Sequence, residues 1–242
     1  GTAGFEMLPV VEWLCLELGR SAGFDVPDAA LLEMPDGMSP ALVVERFDIR
    51  RAPADQRRLA MEDFCSILDL PASAKYDGTI ERMARGLRPL STDPASDLDI
   101  LFRRAVFAWL IADGDMHLKN LAVLKVAEVD AKAFTSVRFA PLYDAVTTRV
   151  FPGLGGDRMA LKLNGKDDRL TPQDFLALAR TIGVSAGDAE TAIADLTARV
   201  ADRAQGLQLP AFAAEAEAAK TAQEKVIALV GERCKALAVE GD

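Results

Sequence analysis

Within Gly114-Asp115-Met116-His117-Leu118-Lys119-Asn120, an aspartate and an asparagine stand five residues apart, and Pro141-Leu142-Tyr143-Asp144 brings a second aspartate downstream. Carboxylate, amide and carboxylate in that order is the spacing of a phosphotransfer site. In such chemistry the first Asp takes the proton of an attacking hydroxyl. The Asn and the second Asp hold magnesium ions against the phosphates of ATP. Lys119, beside these acids, is suited to the transferring phosphate. His117, the single histidine of the chain, is expected to orient the loop, with a direct phosphate contact as the alternative. Plainer roles exist for each. Asp115 and Asn120 could cap turns, Asp144 could be the N-cap of a helix starting at Ala145, and Lys119 could be a surface cation. All five together are better explained by a site.

The surrounding pattern supplies elements to position them. Leu98, Leu101, Phe102, Ala105, Val106, Trp109 and Leu110 recur at helical spacing, the stripe of a helix buried on one face. That helix should run out near Asp113-Gly114, leaving a polar loop to Asn120. Leu121-Ala122-Val123-Leu124 and Ser136-Val137-Arg138-Phe139 then read as two strands joined by a polar turn around Glu128 to Lys132. Asp115, Asn120 and Asp144 would flank one end of that hairpin.

Other segments extend the pattern. Ala41-Leu42-Val43-Val44-Glu45-Arg46-Phe47-Asp48 reads as a strand and hinge, preceded by Val11-Glu12-Trp13 through Val26-Pro27. Glu62-Asp63-Phe64-Cys65 precedes Leu70-Pro71 and Lys75-Tyr76, and Met159-Ala160-Leu161 precedes Asn164-Gly165-Lys166. With the catalytic loop, these segments resemble the C-terminal, kinase-bearing part of HipA-type serine/threonine kinases, the toxins of bacterial toxin–antitoxin pairs. The resemblance covers roughly residues 5 to 185. It implies an α+β, mainly helical fold: a protein-kinase-like large lobe over residues 50–242, with residues 1–49 a remnant of the small, nucleotide-clamping lobe. It implies transfer of the γ-phosphoryl of ATP, with Mg2+, to a serine or threonine hydroxyl, and the family's known targets include aminoacyl-tRNA synthetases. Asp115 would be the base, Asn120 and Asp144 the magnesium ligands, His117 and Lys119 the phosphate lining, and Glu45 and Phe47 the adenine hinge. The family's toxins pair with a small helix-turn-helix antitoxin of HipB type, so DNA would be met only indirectly, through that partner.

Two departures stand out. The family often has glutamine just before its E-D-x-C segment, where this chain has Met61, which could pack on adenine but makes no polar contact. No lysine precedes Lys75 and no glycine-rich loop precedes Phe5, yet kinases hold the α- and β-phosphates with a small-lobe lysine, usually paired to a helix carboxylate. Glu12 is a candidate for that carboxylate. The expectation is therefore a C-terminal portion of a longer protein, weak in ATP binding and transfer by itself; robust autophosphorylation by these residues alone would overturn it. Gly153-Leu154-Gly155-Gly156 lacks the Lys-Ser/Thr of a phosphate loop and reads as a flexible segment after Asp144.

Composition narrows the remaining classes. The 242 residues carry a net charge of −9, which disfavours direct nucleic-acid binding. No apolar run is long enough for a membrane span, no signal peptide is apparent, and three cysteines without pairing or zinc spacing suit a reducing cytoplasm. Arg46, Arg50, Arg51, Arg57 and Arg58 form a basic cluster, read first as a solvated loop and otherwise as facing an acidic partner or the phosphates. Helical periodicity is read over residues 53–69 and 79–87, and residues 91–96 read as a loop. Thr171-Pro172-Gln173-Asp174 reads as a capped helix start, with Gly183 as its stop and Ser185 as the next cap. One or two helices are expected from Pro210 to Val239. Two rival functions remain at this level: a kinase of small molecules or lipids, sharing a G-D-x-H-x-x-N loop, and a non-catalytic binding module.

Overall fold

The computed structural model of the chain describes residues 4–49, 58–128 and 130–238. A first helix, α1 (Leu8–Ser21), has proline in its opening turn, where a missing N–H breaks no helical bond. Strands β1 (Ala29–Leu32) and β2 (Ala41–Val44) pair antiparallel with Leu31 opposite Leu42. Strand β3 (Arg58–Asp63) runs directly into a single helical turn, α2 (Phe64–Ile67), whose first N–H groups are capped by the Asp63 carboxylate at 3.0 Å from Ser66 N. Helix α3 (Ile80–Leu87) starts on Thr79 and α4 (Pro94–Leu110) on Asp93, each with its side chain accepting from a backbone N–H. Strands β4 (Ala122–Ala127) and β5 (Ser136–Phe139) follow, then α5 (Pro172–Ile182), α6 (Ala186–Gln205), α7 (Ala211–Ala214) and α8 (Glu217–Leu237).

The α4 stripe is the axis of the molecule. Leu101, Phe102, Ala105, Val106 and Leu110 are sealed from solvent, and α4 packs against α3, α5, α6, α8 and β5. Val10, Leu14 and Leu18 of α1 belong to the same buried cluster, with α1 lying on α6 and α8. The antiparallel sheet β3-β4-β5 has β4 at its centre, and its pairing of β4 with β5 is the hairpin expected from the sequence. Capping also follows the sequence: Asp174 Oδ2 accepts from Thr171 N at 2.9 Å, Gly183 closes α5 in the left-handed region, and Ser185 caps α6.

Several segments depart from expectation. Residues 58–63, read as helical, form β3, paired with β4 so that Met61 faces Leu124 and Glu62 faces Val123. Leu59, Ala60, Met61 and Glu62 favour helix locally, but pairing with a β-branched strand outweighs so weak a preference. An ion pair between Glu62 and Lys125 ties the same two strands. The helix at Phe64 is only a turn, α4 begins within the stretch read as loop, and the C-terminal helical region divides into α7 and α8. Arg50, Arg51 and Arg57 lie outside the described residues, while Arg46 pairs with Asp48 at 2.6 Å. No helix among the described residues is long and apolar enough to cross a membrane. Cys15, Cys65 and Cys234 are free and buried.

Candidate active site

α4 stops where its apolar stripe runs out. Ile111 caps it, Ala112 turns left-handed at φ 52°, and Asp113 N returns to Ala108 O at 2.8 Å. Alanine in that region carries local strain on the order of 1 kcal/mol, so the surrounding fold imposes this turn. The loop then alternates anchors with chemistry. Met116, Leu118 and Leu121 are buried, whereas Lys119 is exposed and Asp115 stays open on one side. His117 N donates to Asp115 O at 2.7 Å and Asn120 N to His117 O at 3.0 Å, which winds the loop tightly.

Asn120 closes the arrangement. Its buried side-chain amide donates to the backbone carbonyls of Asp115 at 3.1 Å and Asp144 at 3.4 Å. One side chain thus joins the loop after α4 to the segment after β5. With the nitrogen so engaged, the amide oxygen is the end that can serve as a ligand. Asp144 is left-handed at φ 52°, a conformation Asp tolerates. No helix follows it, so the N-cap reading of Asp144 is corrected: an N-cap residue is extended and opens a helix, and residues 145–147 form none. The side chain of Asp144 keeps solvent contact, but protein crowds its carboxyl. That partial desolvation raises the pKa, and Asp115 adds to it.

The acids here are mutually unfavourable. Burial pushes Asp113 up to about 8, Asp115 and Asp144 add to this, and the N–H groups of Asp115 and Val146 oppose it. Burial and then Asp144 push Glu12 of α1 up to about 7. His117 and then Lys75 work the other way on Asp144, favouring its ionisation. Among the described residues no three His, Cys, Asp or Glu side chains cluster as a metal cage. One crowded carboxylate and one amide oxygen nevertheless fit magnesium, a hard cation that takes oxygen ligands and is commonly held by one or two carboxylates plus water and phosphate.

The other expected residues are placed as follows. Lys119 forms an ion pair with Asp63 at the end of β3. Partial burial of Asp63, which opposes ionisation, is outweighed by Lys119 and the Ser66 N–H, so its pKa is lowered. His117 is buried with Nδ1 unpartnered, and burial lowers its pKa while Asp115 opposes the shift. Its ring meets Tyr76 edge-on at 5.2 Å. Phe47 lies 5.5 Å from the Tyr143 ring, beside Asp144. Glu45 follows β2, its N–H donating to Asp28 O at 2.8 Å. Met61 is 39% exposed on β3.

Three further residues that touch the site, none of them given a role from the sequence, are Arg104, Tyr143 and Tyr76. Arg104 of α4 is buried beneath the loop and donates to Pro141 O and Asn120 O, both at 3.5 Å; burial lowers its pKa to about 10. An arginine inside an apolar helical stripe was the available signal. Tyr143 donates to Lys119 O at 2.9 Å. Tyr76 donates to Asp115 Oδ1 at 2.5 Å, and burial followed by this bond pushes its phenol up to about 12. Nothing local to Lys75-Tyr76 announces that contact. Gly114 is equally constrained: an added Cβ would lie 2.3 Å from both Asp157 Oδ2 and Thr148 Oγ1.

Comparison with known proteins shows the family and the fold. Residues 2–204 match the family model described as the HipA-like C-terminal domain. A Sinorhizobium fredii protein named "Putative kinase Y4mE" is 32% identical over 168 residues, covering 67% of this chain and 37% of its own. A Haemophilus influenzae protein named as a kinase in the same terms is 22% identical over 165 residues, covering 65% of this chain and 46% of its own. The chain therefore spans less than half the length of these relatives. Among solved structures, HipA of Shewanella oneidensis, in complex with HipB and operator DNA, superposes with a TM-score of 0.76 at 20% identity, covering 95% of this chain and 55% of that one. The proinflammatory kinase CtkA of Helicobacter pylori gives 0.61 at 16% identity, covering 94% and 82%. The fold is thus α+β and kinase-like, and by its family match the chain belongs to the HipA-like C-terminal domain family.

Proposed function

We propose that this chain is the catalytic part of an ATP-dependent serine/threonine protein kinase. The observation that carries the reading is the Asn120 amide, which bonds to the backbone carbonyls of both Asp115 and Asp144 and so ties the segments bearing the proposed base and ligand to one side chain. Asp115 accepts the proton of the acceptor hydroxyl as its oxygen bonds to the γ-phosphorus and ADP departs. Asn120 and Asp144 would hold magnesium, which supplies positive charge against the phosphates. Lys119 reaches a phosphate by exchanging its partner Asp63, and His117 orients the loop. Glu45 and Phe47 serve as the adenine hinge, with the residues before it acting as the small-lobe side. Most of the rate enhancement comes from positioning and electrostatics.

The acceptor is a cytosolic protein, with aminoacyl-tRNA synthetases the first class to test. A helix-turn-helix antitoxin of HipB type is the proposed partner, supported by the HipB present beside the Shewanella HipA. The net charge of −9 favours leaving DNA contact to that partner. Incubation of the full-length protein with γ-labelled ATP, Mg2+ and a cell extract tests the assignment. Label on serine or threonine of a protein supports it. Label only in small metabolites or lipids would replace the acceptor class, and absence of transfer would leave a binding module.

A further inference from the structure

Tyr76 lies outside the Gly114–Asn120 segment, yet its hydroxyl donates to Asp115 Oδ1 at 2.5 Å. A hydroxyl donating to that carboxylate is the arrangement an acceptor serine or threonine must adopt before its proton is taken. We infer that Tyr76 is a built-in stand-in for the acceptor hydroxyl, shielding Asp115 from water until a protein acceptor displaces it. The inference rests on the phosphotransfer reading of Asp115.

The surroundings of Tyr76 suit displacement. The backbone of its turn is fixed, because Leu118 N donates to Lys75 O at 3.0 Å. The turn also lies so close to the loop that a Cβ on Gly78 would stand 2.7 Å from Leu118 Cδ2. The side chain is held far less. Tyr76 is 47% exposed, its ring touched by the edge of His117 and by the Lys75 ammonium at 4.9 Å. Displacement is therefore a swing of one ring about its own torsions, with the turn unmoved.

There is also space for what displaces it. Tyr76 and Asp115 both line a cleft of about 720 Å3, walled by Phe5, Leu8, Phe151 and Met159. Asn120, Asp144 and Phe47 are not part of its lining, so the cleft approaches the carboxylate separately from the proposed metal and adenine positions. An extended acceptor segment with apolar residues beside its hydroxyl fits that lining. The phenol stays protonated at neutral pH, so it remains a donor to Asp115 and never competes as the base.

Tyr76→Phe keeps the ring and removes the hydroxyl. With full-length protein and Mg·ATP, the variant is expected to hydrolyse ATP without acceptor about three- to ten-fold faster, the range for losing one part-exposed hydrogen bond. KM for a probe acceptor, myelin basic protein, is expected to fall by a similar factor, with kcat for transfer and KM for ATP unchanged. If kcat falls while KM and idle hydrolysis stay constant, Tyr76 positions Asp115 and the stand-in role is overturned. If the wild type transfers phosphate to no acceptor, the phosphotransfer reading fails and takes this inference with it.

Discussion

Asp115 and Asp144 carry the same functional group in different settings. Asp115 lines an open cleft with a phenol on one oxygen. Asp144 sits left-handed beside Tyr143, its carboxyl raised by crowding and by Asp115. Their substitutions should therefore separate. Asp115→Asn is expected to leave Mg·ATP binding within about two-fold by calorimetry while transfer drops by about 100- to 10,000-fold, the range for losing a general base. Asp144→Asn is expected to abolish the magnesium dependence of ATP binding itself. Equal loss of binding in both variants would argue against separate roles. The order of these residues could be read from the chain, and the structure adds that the Asn120 amide reaches the backbone carbonyls of both. The contact of Tyr76 with Asp115 could not be read there, because it spans 39 residues and leaves no periodic or compositional trace.

At the scale of elements, the site depends on close approach between segments. Gly114 follows the left-handed turn at Ala112, and any side chain there meets Thr148 and Asp157. Gly114→Ala should shift the loop by a fraction of an ångström. Transfer is then expected to fall by about 100-fold, while unfolding free energy in urea changes by about 1–3 kcal/mol at most. Helix α5 offers a contrast remote from the chemistry. Asp174 accepts from Thr171 N and from Lys166 Nζ at 2.7 Å, so Asp174→Ala should cost about 1 kcal/mol in urea denaturation with transfer unchanged. The capped start of α5 could be read directly because a capping box is local. Strand β3 could not, since Leu59 to Glu62 favour a helix by themselves and become a strand only where β4 lies alongside.

For the whole molecule, the acids set a pH dependence. Glu12, Asp113 and Asp144 have folded pKa values above their ordinary ones. The native state then binds more protons than the unfolded state, and this contribution declines as pH rises through the folded values. Glu62, Asp63 and Asp174 are lowered, and their contribution is lost as pH falls through their folded values. Thermal stability without magnesium should therefore peak at about pH 5 and decline towards about pH 8. Asp113→Asn is expected to flatten the upper part of that decline in a series of melting curves. Added Mg2+ should raise Tm most at the alkaline end, where the repelling carboxylates are ionised. A profile rising from pH 5 to 8 would contradict the burial of these groups.

The order of residue types from Asp115 to Asp144, the α4 stripe and the helix caps are local properties, and local sequence determined them. Short-range spacing and side-chain chemistry suffice for a loop, a hairpin or a cap. The third strand, the buried Arg104 beneath the loop, the left-handed backbone at Asp144 and the tyrosine on Asp115 were decided only by tertiary structure. Each depends on desolvation or on a partner far along the chain, and neither is present until the core has closed around α4.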